Sequence, residues 1–110
     1  SQVKKAKLER QMAINHQQEE QQALYQQIVE DMQRLESFTK EFEQLNAKTE
    51  ALAAAFSIAE KKLEKGLINV IEFYTAKNQL AQAEADRMRT LLQLQLTGNT
   101  IRFYMGEKIY

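Results

Sequence analysis

The sequence has no proline and no cysteine, and its three glycines stand far apart at Gly66, Gly98 and Gly106. A sheet fold with several tight turns needs more turn residues than this. Without cysteine there is neither a disulfide framework nor thiolate chemistry, and the compartment stays open. No apolar run approaches the ~18 residues of a membrane-spanning helix. An excess of one charge is lacking too. The 15 basic and 15 acidic side chains cancel, which disfavours a nucleic-acid-binding footprint. Ser1 opens directly into a charged helical pattern, and no signal peptide is expected within this stretch. The expectation is that an exported parent protein would contain this chain as an excised piece.

Catalytic groupings are equally scarce. The single histidine, His16, lies in the polar run from Asn15 to Gln22 and reads as a solvated helix residue. A metal site would need further ligands at a fixed spacing, and no second histidine exists. Ser37 and Ser57 have no neighbouring histidine and no Gly-x-Ser-x-Gly turn, and there is no glycine-rich phosphate loop. Glu19 with Glu20, and Glu41 with Glu43, sit in polar surroundings that would not raise a carboxyl pKa. The expectation is a non-enzyme with no cofactor and no metal.

What remains is 27% charged and 44% hydrophobic residues, rich in Ala, Leu, Gln, Glu and Lys. That is the composition of long helices. At 110 residues the chain makes one domain or one arm of something larger. From about residue 3 to residue 64 no helix breaker occurs. Leu35, Phe42, Thr49, Phe56 and Leu63 fall seven apart, and Phe38, Leu45, Leu52 and Ala59 each follow three residues behind. This is an a/d seam with one polar member, continued upstream by Leu24, Ile28 and Met32. A helix of that length spans roughly 90 Å and needs a partner.

The partner follows a turn at 65–69. Lys61, Lys62 and Lys65 close the first helix with cations at its carbonyl end. Gly66 suits the left-handed position just past a helix end. Asn69 suits an N-cap, with Glu72 three residues on and Ile68 and Phe73 placed for a hydrophobic staple. The second helix then runs from about residue 70 to 105, with Gly98 as a kink or early end. Its expected buried face sets Ala76, Ala81, Ala83 and Ala85 among Phe73, Leu80 and Met88. Folding about the turn brings Leu63 near Ile71, Leu45 near Met88, Phe42 near Leu91 and Met32 near Ile101. Residues before about 28 have no partner in the chain, so self-association is expected, most simply as an antiparallel four-helix arrangement. The reading is an all-α single domain over 1–110: a long antiparallel helical hairpin of coiled-coil type without barrel strands.

The stretch from Ala59 to Ala83 resembles a signature of the outer-membrane efflux protein family, the TolC-like channels. That family carries A-E-x-x-[FY]-x-x-G-x-x-[NST]-x-x-[DE]-[VLY]-[LY]-x-A-x-x-x-L-x-x-A at the periplasmic tip of a helical hairpin. Ala59, Glu60, Gly66, Asn69, Glu72, Tyr74, Ala76, Leu80 and Ala83 match it. The ending from Ile101 to Glu107 is similar to the close of the same hairpin, where an amphipathic helix ends at a glycine. The resemblance covers roughly residues 20 to 107.

The resemblance implies the second-repeat hairpin of a homotrimeric channel. Such channels have an outer-membrane barrel and a helical tunnel across the periplasm, and the tunnel tip docks on a periplasmic adaptor and an inner-membrane pump. It implies that Gly66, Leu67 and Ile68 meet the adaptor and that Glu72 stands at the tunnel mouth. Family members that hold the tunnel shut carry a second acidic residue where this chain has Thr75, an arginine where it has Ile68 and a tyrosine where it has Leu63. Those gating links are absent from this sequence. A soluble antiparallel coiled-coil scaffold or adaptor, without a transport role, shares the heptads and is the alternative.

Overall fold

The computed structural model describes the backbone of residues 1–109 and the side-chain environments of residues 1–106. Among the described residues there are two helices, α1 (Gln2–Glu64) and α2 (Val70–Ile109), and no strand. The chain extends 94 × 22 × 15 Å with a radius of gyration of 26.0 Å. A compact chain of this length would have a radius near ~13 Å. The 63 residues of α1 account for the long dimension, since ~1.5 Å per residue gives about 95 Å. The all-α antiparallel hairpin expected from the sequence is what forms.

α2 runs farther than the spacing suggested, to Ile109 rather than to about residue 105. Gly98 and Gly106 stay inside it, and among the described residues Gly66 alone has a positive φ. A helical glycine lacking a left-handed turn costs only about 1 kcal/mol relative to alanine, too little to end a helix whose neighbours propagate it. The unpartnered start of α1 is shorter in consequence. Residues 1–23 are exposed throughout, and coverage begins at Leu24 instead of near residue 28.

The α1 seam follows a strict four–three alternation through Ile28, Asp31, Leu35, Phe38, Phe42, Leu45, Thr49, Leu52, Phe56, Ala59 and Leu63, all buried or half-buried. Position 31, not 32, therefore takes the core place. Asp31 is buried while Met32 is exposed. α2 contributes Phe73, Ala76, Leu80, Ala83, Arg87, Thr90, Leu94, Thr97, Ile101 and Tyr104 at the same alternation. Ala81, Ala85 and Met88, expected on this face, are exposed on the opposite one, and Ile71 does not face Leu63 but stands in solvent. The overall register survives. Arg87 Nη1 donates to Asn46 Oδ1 across the hairpin at 3.2 Å, and the Phe56 and Phe73 rings lie 5.4 Å apart.

The seam is thin and unusually polar. Its buried apolar members are Ile28, Ala59 and Ala83, beside Asp31, Thr49, Thr90 and Thr97. Thr49 satisfies its hydroxyl by donating to the Leu45 carbonyl at 2.7 Å. Both helices also carry a second stripe on their outer faces. On α1 it is Ala47, Ala51, Ala54 and Ile58. On α2 it runs from Ile71 and Tyr74 through Ala81, Ala85, Met88 and Leu92 to Phe103, all of them exposed.

Candidate functional site

The tip is built by local capping. Gly66 takes φ +69°, the left-handed conformation that glycine adopts without a Cβ penalty. Its N–H donates to the Leu63 carbonyl at 3.0 Å, and the Leu67 N–H donates to Lys62 at 2.8 Å. These two bonds form a Schellman motif and satisfy carbonyls that the ending helix would leave open. On the other side of the reversal, Asn69 Oδ1 accepts from the Glu72 N–H at 2.8 Å, and the Phe73 N–H donates to the Asn69 carbonyl at 3.2 Å. The five residues of connection thus have their geometry dictated from both ends.

These bonds decide where each expected site residue points. Leu67 projects outward and is 68% exposed. Ile68 does not share that direction. It is half-buried and lines a shallow groove with Ala55, Ile58, Ala59, Lys62 and Glu72. The Asn69 cap turns the chain into α2 at the next residue, so position 68 folds back over α1. The outward apolar surface is instead completed by Val70 and Ile71, the latter 76% exposed. Sequence reasoning missed both residues because it paired Ile71 with Leu63. Their signal is phase: the seam begins at Phe73, which leaves positions 70 and 71 on the outside. Glu72 is exposed in the first turn of α2, where a carboxylate complements the positive end of the helix dipole.

Chemistry is sparse elsewhere. His16 Nε2 lies 2.9 Å from Glu20 Oε1 on the exposed part of α1, an ordinary i,i+4 surface pair. Among the described residues no helix is long and apolar enough to cross a membrane. No family model matches the chain, and neither a curated protein nor a solved structure does.

Gly66→Val should lower the unfolding free energy by about 1–2 kcal/mol, because a β-branched residue cannot take positive φ cheaply. A Cβ at Gly66 would meet nothing within 4 Å, so the loss is conformational and not steric. Thermal melts followed by circular dichroism test this. An unchanged melting temperature would mean that the turn does not depend on the left-handed residue.

Proposed function

We propose that this chain is a periplasmic tunnel segment of an outer-membrane efflux channel. In this reading it is one hairpin of a trimeric α-barrel that exports small molecules or proteins. Its tip docks on a periplasmic adaptor coupled to an inner-membrane pump. The observation that carries the reading is the two-faced character of both helices. A free-standing hairpin needs one apolar stripe per helix, whereas a stave in a closed cylinder needs two, one for each neighbour. A few turns back from the tip the outer stripes are smooth, with Ala47, Ala51 and Ala54 on α1 and Ala81 and Ala85 on α2. Small residues let neighbouring helix axes approach closely. The match of Gly66, Asn69 and Glu72 to the family's tip pattern supports the same reading.

At the tip, Leu67, Val70 and Ile71 supply an apolar knob for the adaptor, and Gly66 sets its direction. Ile68 contributes by holding the knob against α1. Glu72 stands beside the tunnel mouth. Leu67→Asp should leave the hairpin folded, since the side chain is exposed, and place an unpaired charge in the docking surface. In cells carrying the full-length channel, the expected result is drug or solute sensitivity approaching that of a channel deletion, at normal channel abundance in the outer membrane. Full activity at normal abundance would sink the docking role.

The rival reading, a soluble coiled-coil scaffold, is favoured by the polar overhang of residues 1–23, which offers a long accessible helix to a partner. The surrounding reading frame separates the two. Alternating strands of about ten residues flanking this hairpin belong to a channel and not to a scaffold.

A further inference from the structure

We propose that the back of α2 is a self-pairing surface. Two copies of this chain join through it with their α2 helices antiparallel, about a two-fold axis level with Asp86 and Arg87. The pairing does not rest on the tunnel reading, and it describes the chain when no larger assembly covers that face.

The outer stripe has the alternating three–four spacing of a coiled-coil seam from Ile71 to Asn99, with polar members at Asn78, Gln95 and Asn99, and a further step of four reaches Phe103. Its middle is graded in size, with Ala81 and Ala85 on the tip side of the axis and Met88 and Leu92 beyond it. A two-fold axis at Asp86–Arg87 converts this gradient into a fit. Ala85 comes level with Met88 of the second copy, and Ala81 with Leu92. Asn78 meets Gln95 and Tyr74 meets Asn99, so polar groups oppose polar groups. Small residues facing large ones give even layers, which is what close packing requires. A parallel pair would set Ala81 against Ala81 and Leu92 against Leu92, leaving a gap at one level and crowding at another.

Charge and area agree with the same arrangement. Lys77, Glu84 and Arg89 border the stripe; Lys77 comes level with Leu96 of the second copy, and Glu84 and Arg89 come level with each other across the axis, so no like charges face each other. The large side chains Ile71, Tyr74, Met88, Leu92, Leu96 and Phe103 are between 50% and 76% exposed in the single chain. At roughly 200 Å² per large side chain, covering them removes on the order of 700 Å² per copy and 1,400 Å² per pair, within the standard range for a stable interface. The axis is isologous, so the same patch serves both copies and the assembly closes at two.

Sedimentation of the 110-residue chain should show a concentration-dependent dimer in the micromolar range. Leu92→Glu should raise the dimer dissociation constant about a hundredfold with helical content unchanged, because the charge is introduced twice at a covered position. The absence of native cysteine allows a direct test of direction. An equimolar mixture of Ala81→Cys and Leu92→Cys chains should oxidise to the mixed disulfide. Neither variant should cross-link to itself, since in the antiparallel pair the two copies of position 81 lie about 16 Å apart along the axis. A monomer at high micromolar concentration would overturn the proposal. So would an unweakened Leu92→Glu dimer, or self-cross-linking of each variant, the signature of parallel pairing.

Discussion

Phe73→Ala should destabilise the hairpin by about 2–3 kcal/mol, whereas Ile71→Ala, two residues earlier, should cost about 0.5 kcal/mol or less. Phe73 is the first seam residue of α2. Its ring lies 5.4 Å from Phe56 at an interplanar angle of 35°, and 5.4 Å from Tyr74 edge-on at 71°. Aromatic pairs at such distances contribute about 0.5–1.5 kcal/mol beyond the area they bury. Removing a fully buried phenylalanine costs about 3–5 kcal/mol, and the half-buried state of Phe73 brings the expectation below that. The seam has no large side chain that is completely enclosed, so few contacts compensate for its loss. Ile71 removes nothing from the seam because it is already in solvent. Denaturant titrations of both variants, at concentrations below dimer formation, separate the two, since any paired species would add its own stabilisation. If Ile71→Ala costs more than Phe73→Ala, α2 is rotated from the face described here.

That contrast also shows how far the sequence can be read. The helix boundaries at 64 and 70 and the left-handed Gly66 were legible because capping is local. Gly66, Asn69 and Glu72 lie within one seven-residue stretch, and each bond closes without tertiary help. The α1 seam from Leu35 to Leu63 was legible because its periodic positions hold the large apolar residues. Upstream, periodicity and hydrophobicity part company. Met32 is the more apolar residue, but Asp31 is in phase, and phase prevails because a continuous helix cannot rotate locally. On α2 two apolar stripes compete, and the more conspicuous one, with Ala81, Ala85 and Met88, faces outward. The inner one includes Arg87, Thr90 and Thr97, which no hydrophobicity count would select. A one-residue change of phase turns a helix by about 100°, so Phe73, Ala76, Leu80 and Ala83 were placed correctly on the buried face while Ala81, Ala85 and Met88 were wrongly joined to them. The tip inherited that error, with Ile71 placed inside and Ile68 placed outside.

Asp31→Leu should raise the stability of the hairpin by about 2 kcal/mol, an unusual direction for a core substitution. Asp31 is 3% exposed, at a seam position between Ile28 and Leu35. Its Oδ1 accepts from Gln27 Nε2 at 3.1 Å and from Arg34 Nη1 at 3.4 Å, both on α1 itself. Its Oδ2 is buried with no hydrogen-bond partner. An unsatisfied buried acceptor costs about 1–3 kcal/mol, more when the group is charged, and Arg34 is mostly solvated, so its attraction repays little. Leucine removes that cost and adds apolar burial at a position the heptad already assigns to the core. A buried polar residue in a coiled coil often fixes register. Here the Schellman motif and the Asn69 cap already fix how α2 returns along α1, so within the hairpin that role is filled. Asp31→Asn should fall between the two, since it keeps the polar group and removes the charge. Thermal and denaturant unfolding of the three chains decides the matter. A melting temperature for Asp31→Leu at or below that of the parent would mean that the carboxylate is satisfied in solution by an arrangement other than Gln27 and Arg34.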